Sequence, residues 1–207
     1  VMLLTRLPAG RLNVAPPIGA ATWAFPIVGA LVGVLSAIVL TGALAAGVPA
    51  SMAAGLALIT SVLATGGLHE DGLADCADGF GGGRDRARKL EIMRDSRIGS
   101  YGALALVLGL GLRWQGLASV SAHSEYFAAM ALISLSISSR AALPLALLWM
   151  PAARADGMGK SAAGTTPARA AVALALSAVA MAALIGPGAA AIILIVQAGV
   201  QLGFGWI

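Results

Sequence analysis

Long apolar runs dominate this chain, and its polar positions are gathered between them. Six runs stand out: about Thr22–Ala46, Pro49–Thr65, Tyr101–Leu117, Tyr126–Met150, Ala170–Ile185 and Ala189 to the end. Each approaches the roughly 20 residues that cross about 30 Å of hydrocarbon as a helix. The pattern predicts an all-α polytopic integral membrane protein with about six transmembrane helices, forming a single helical membrane domain over residues 1–207. Pro26 falls in the first turns of the first span, where a missing N–H is best tolerated. Gly29 and Gly33 form a GxxxG pair, a helix-packing face.

Composition sharpens this picture. Hydrophobic residues make up 59% and charged residues 11%, against about 25% charged in a soluble domain. An ordinary soluble domain is thereby excluded. The net charge of +4 comes from a few basic loops. With no aromatic-interleaved basic face, it does not point to nucleic acid. Cys76 is the single cysteine, so no internal disulfide can form.

Ionisable residues are concentrated in one place. Residues 66–102 hold seven of the nine acidic and six of the thirteen basic side chains. If the six spans alternate, the lead-in of residues 1–20, the loop at about 66–101 and a second loop at about 151–169 share one side. Eleven of the thirteen basic residues lie there, and the positive-inside rule makes that side the cytoplasm. The expected location is a bacterial cytoplasmic (inner) membrane, with the chain in contact with lipid and both active loops inside. Ala118–Glu125 is expected as a short outer loop, Arg113 as a snorkelling residue and His123 as a solvated one.

Within the charged stretch, Asp71, Asp75 and Asp78 are spaced i, i+4, i+7. On a helix they fall within about 60° of one another, and such like charges repel. A hard divalent cation relieves the repulsion. Carboxylate-rich oxygen ligation suits Mg2+, which is typically held by one or two carboxylates together with substrate phosphates. Glu70 lies about 100° off that face and completes the metal set as a ligand or a nearby support. His69-Glu70 does not open a zinc-protease motif, because Leu73 stands where the second histidine belongs. His69 is expected to anchor by hydrogen bonding. Gly79, Gly81, Gly82 and Gly83 are expected to break the helix and bring backbone N–H groups to a ligand. Arg84, Arg86, Arg88, Lys89, Arg94 and Arg97 follow, and arginine recognises phosphate bidentately. The order of acidic face, glycine loop and basic face suits phosphoryl-type transfer, which depends on positioning and charge neutralisation.

These residues place Asp71, Asp75, Asp78, Arg94 and Arg97 in the catalytic set. Gly81, Gly82, Gly83, Arg84, Arg86, Asp95 and Arg140 are assigned to substrate and phosphate binding. Arg140 enters because a charge within a span costs about 2.5–3.5 kcal/mol unless it faces a polar cavity or an acidic partner. Glu91 reads as a surface ion-pair residue. Asp156 and Lys160, flanked by glycines, suit a mobile contact loop.

The stretch LHEDGLADCADGFGGGRDRARKLEIMRDSRIGSYG closely resembles the signature of the cobalamin synthase (adenosylcobinamide-GDP ribazoletransferase) family. LLTRLP at Leu3–Pro8, the WxxPxxG pattern at Trp23–Gly29, Ser139-Arg140-Ala141 and ARADG at Ala153–Gly157 agree with it. The likeness runs from Leu3 to about Gly164. It implies a Mg2+-dependent transferase joining adenosylcobinamide-GDP to α-ribazole or its 5′-phosphate, with release of GMP, and it leaves room for an oligomer. Family members usually carry a Gly-Asp motif near the C-terminus. This sequence runs from Val1 to Gly205-Trp206-Ile207 without one, so both ends are expected to be truncated. Two other readings compete. In a CDP-alcohol phosphotransferase an Ala-Arg pair should follow Asp71-Gly72, where Ala74-Asp75 stands. A divalent-cation transporter should bury its acidic groups in broken helices of paired repeats.

Overall fold

The computed structural model describes residues 1–8, 10, 17–150, 152–153 and 164–205. Its regular elements there are all helical. In chain order they are α1 (Ile18–Ala21), a 3-10 turn (Thr22–Ala24), α2 (Phe25–Ala45), α3 (Ala50–Thr65), α4 (Leu68–Gly82), α5 (Arg86–Ile92), α6 (Ser100–His123), α7 (Glu125–Trp149), α8 (Pro167–Ile185) and α9 (Pro187–Gly205). Asp156 and Lys160 of the second loop lie outside the described residues.

Among the described residues four helical stretches are long and apolar enough to cross a bilayer: Ile18–Ala45, α6, α7 and α8. A fifth crossing results if α3 and α4, bent by 88°, count as one broken span. The all-α, polytopic architecture is the one expected, with four to five crossings among the described residues beside the about six read from the whole sequence. Helix α3 has 16 residues, about 24 Å at 1.5 Å per residue, so on its own it is short of a crossing. Nor is 118–125 a loop. Helix α6 runs on to His123, and Ser124 alone separates it from α7.

Two compact units emerge, Val1–Leu7 with Val39–Glu125 and Pro8–Ile38 with Tyr126–Ile207. In the first, α3 and α4 pack on α6. The Trp114 indole donates to the Ser51 carbonyl at 2.6 Å, and its ring lies against Gly55. Between α3 and α4 the chain turns at Gly66 and Gly67, with φ of 69° and 73°. Side-chain-bearing residues rarely adopt this left-handed region. Successive glycines there close α3 and reopen the chain as α4 with no loop between them.

In the second unit the GxxxG face does what its spacing predicts. A Cβ on Gly29 would fall on the Ser136 carbonyl oxygen, and one on Gly33 would sit 2.8 Å from the Ile133 Cα. Backbone therefore touches backbone where α2 meets α7. Two glutamines on α9 bind α7. Gln197 accepts from the Ser138 hydroxyl and donates to the Ser138 carbonyl at 3.0 Å. Gln201 donates to the Ala142 carbonyl at 2.8 Å. Arg169, near the start of α8, donates to the carbonyls of Gly164 at 2.9 Å and Gly19 at 3.3 Å.

Gly29→Ala should therefore destabilise the protein by about 1–3 kcal/mol, since backbone cannot yield as a side-chain tip can. Gly42→Ala, whose new methyl meets nothing within 4 Å, should be neutral or slightly stabilising. Thermal denaturation followed by size-exclusion chromatography in detergent distinguishes the two.

Candidate functional site

The first unit holds an open cavity of about 900 Å³. Glu70, Asp71, Asp75 and Asp78 of α4 line it, together with Arg94, Asp95 and Arg97 of the segment after α5. The charged motif thus folds back on itself, and part of its basic half comes to share a wall with its acidic half. Arg6, from the N-terminal segment, also lines this cavity. Sequence reasoning left Arg6 in the lead-in, with the LLTRLP motif as its one signal, and the fold that returns residues 1–7 to the α3–α4 bend shows its place.

The four acidic residues differ in what they do. Asp78 is buried and accepts from the backbone N–H groups of Gly99 at 2.7 Å and Gly102 at 2.9 Å. Its carboxylate thereby satisfies donors at the start of α6 that have no helical partner, and places negative charge at that N-terminus. A Cβ on either glycine would fall on the carboxylate. Glu70 forms an ion pair with Arg113 through Oε1 at 2.9 Å. Its Oε2 is buried without a hydrogen-bond partner among the described residues. Arg113 therefore holds α4 against α6 instead of snorkelling. Asp75 is half-buried, while Asp71 is exposed and has no side-chain hydrogen bond or ion pair among the described residues. No three His, Cys, Asp or Glu side chains among the described residues form a ready-made metal cluster. The expected Asp71/Asp75/Asp78 trio is accordingly split, with Asp78 turned to the α6 backbone.

The glycine run also departs from expectation. Helix α4 continues through Gly79, Gly81 and Gly82 and ends only at Gly83. A Cβ on Gly79 would stand 2.6 Å from Met93, and one on Gly81 would enter the Tyr101 ring. These glycines admit neighbouring side chains to the helix surface, so their N–H groups are spent within the helix and present no phosphate cradle. Gly82 borders a second cavity of about 490 Å³ beside Ile92, Ile98 and Tyr101. Gly83 packs on Lys89.

The basic residues divide likewise. Arg84 and Arg86 are exposed and do not line the 900 Å³ cavity. Arg88 pairs with Glu91 at 2.7 Å on the surface of α5. Arg97 pairs with Asp95 at 2.7 Å. The Arg97 side-chain hydrogen bond, then its backbone N–H, holds the Asp95 carboxyl down at about 2. A depressed carboxyl keeps its pairing above its ordinary value and loses it only as pH falls through about 2. Arg140 belongs to the second unit, where it is buried in α7 and donates to the Ser139 hydroxyl at 2.9 Å.

Asp78→Ala should strand two amides and cost roughly 3 kcal/mol or more, with faster hydrogen exchange in peptides spanning 98–103. Asp71→Ala should change stability by no more than about 0.5 kcal/mol. Asp95→Asn should leave the shape of any pH–activity profile between about pH 5 and 9 unchanged, because Asp95 is fully ionised throughout that range.

The sequence profile of the cobalamin-5-phosphate synthase family matches residues 1–207. A Bradyrhizobium diazoefficiens protein named adenosylcobinamide-GDP ribazoletransferase is 46% identical over 93% of this chain and 74% of its own length. Proteins of the same name from Azorhizobium caulinodans and Mesorhizobium japonicum are 53% and 47% identical, over 82% and 78% of this chain. The chain spans 65% and 62% of the lengths of those two. No solved structure matches it.

Proposed function

The chain belongs to the cobalamin-5-phosphate synthase family, and from that membership we propose that it joins adenosylcobinamide-GDP to α-ribazole or its 5′-phosphate. The products are adenosylcobalamin or its 5′-phosphate, together with GMP. The observation that carries the reading is the 900 Å³ cavity, where the α4 carboxylates face the Arg94–Arg97 segment. Its size lies within the range of ligand pockets. In the reaction, a ribazole hydroxyl oxygen bonds to the phosphorus on the cobinamide side. The bond from that phosphorus to the bridging oxygen breaks, the bridging oxygen leaves with GMP, and the hydroxyl proton is released.

The donor set suits Mg2+ bound jointly by protein and substrate, since that ion uses one or two carboxylates plus phosphate oxygens. Asp71 and Asp75 are the residues to hold it, and the unpartnered Glu70 oxygen has capacity beside them. When bound, the ion neutralises charge on the diphosphate. Arg94 orients and neutralises the phosphate from the opposite segment. Asp78 acts by fixing the α6 N-terminus, and Asp95 by holding Arg97 at the rim. The exposed apolar side chains of the spanning helices, such as Val107, Leu112 and Val179, suit contact with lipid. The excess of basic residues in the loops supports a cavity that faces the cytoplasm at a bacterial inner membrane. The bent α3–α4 pair meets half of the transporter alternative, but it is the one such pair among the described residues. The relatives bear a transferase name.

The test is GMP release, by mass spectrometry, from adenosylcobinamide-GDP plus α-ribazole. Turnover should require Mg2+ and stop on chelation. Asp71→Asn and Asp75→Asn should each lower it on the order of a hundredfold. Arg94→Lys should weaken substrate use because the bidentate fork is lost, while Arg84→Lys and Arg86→Lys should be nearly silent. Absence of GMP release from the parent protein overturns the reading.

A further inference from the structure

Arg6 stands apart from the other cations of the cavity. It lines the same wall as Glu70, Asp71 and Asp75, yet it forms no ion pair among the described residues. Its position is built. The Thr5 backbone N–H donates to the Val1 carbonyl at 2.9 Å, and the Arg6 N–H donates to the Ala64 carbonyl at 2.8 Å, near the end of α3. Leu4 and Thr5 beside it are buried. The side chain then lies across Gly66, where a Cβ would come within 2.6 Å of Nε and 2.7 Å of Cγ. A left-handed glycine thus serves twice, turning the chain toward α4 and leaving room for the guanidinium. At that bend the Asp71 N–H donates to the Gly67 carbonyl at 2.8 Å, so Arg6 and Asp71 flank the same turn.

An arginine held among carboxylates without pairing to one has its donors available for an anion from outside the chain. We propose that Arg6 is a phosphate-binding residue of the cavity. Its guanidinium grips the diphosphate of a nucleoside diphosphate ester next to the Asp71 face, so that the N-terminal segment forms part of the substrate site. A guanidinium fork matches two phosphate oxygens at once. This deepens the transferase reading above and rests on it.

The experiment measures binding of GDP, in the presence of Mg2+, to the purified chain in detergent, for the parent, Arg6→Gln, Arg6→Lys and, as control, Arg88→Gln. Melting curves are recorded on the same samples. Arg6→Gln should bind GDP on the order of tenfold to a hundredfold more weakly. Arg6→Lys should fall between it and the parent, and Arg88→Gln should match the parent. Melting temperatures should not move with the affinities, because every variant keeps the backbone bond to Ala64. Parent-like affinity in Arg6→Gln overturns the role of Arg6 and leaves the transferase reading standing. A loss that follows the melting temperature assigns Arg6 to structure and also overturns it. A parent that does not bind GDP brings down both.

Discussion

The cavity depends first on one carboxylate. Asp78 reaches from α4 to two amides, 21 and 24 residues later in the chain. Those hydrogen bonds fix where α6 begins, and so fix how the segment from Arg94 to Ile98 must cross from α5. Remove them and the basic segment loses its anchor, whatever the acidic face does. The Glu70–Arg113 pair, 43 residues apart, ties the other end of α4 to the same helix. Between these two ties α4 runs antiparallel to the first half of α6, with Asp71 and Asp75 held along the cavity between them.

Much of this was legible beforehand. Apolar run lengths dictate helices in a bilayer, because backbone groups there must bond within their own segment. The i, i+4, i+7 spacing puts the aspartates near one face. Spacing cannot reveal which of them turns toward a neighbouring helix, since that depends on contacts tens of residues away. Asp78 is indistinguishable from Asp71 until Gly99 and Gly102 come to meet it. The glycine run misled for a related reason. Glycine weakens an isolated helix, yet here each missing side chain is replaced by a neighbour, Met93 or Tyr101, and the helix continues. The short α3 misled in the opposite sense, since apolar composition alone cannot show that a span is bent. Arg6 carries no periodic signal, and the LLTRLP stretch around it entered only as part of the family resemblance, with no role attached to the arginine.

The second unit is organised by different means. Close backbone approach at Gly29 and Gly33 sets α2 against α7. In a setting where apolar burial gives helices little preference for one another, small residues and polar side chains supply the association. Ser138, Gln197 and Gln201 are the polar part.

The two glutamine amides both read carbonyl oxygens of α7, four residues apart on each helix. They therefore act as a vernier between the helices. Sliding α9 by one residue would move each amide about 1.5 Å along the axis and swing it about 100° around it, so both contacts would fail together. Intermediate settings have no carbonyl to meet. The pair fixes α9 on α7 in discrete steps, and because it engages main chain at Ala142 the contact demands an amide at position 201 but asks nothing of the α7 side chain itself.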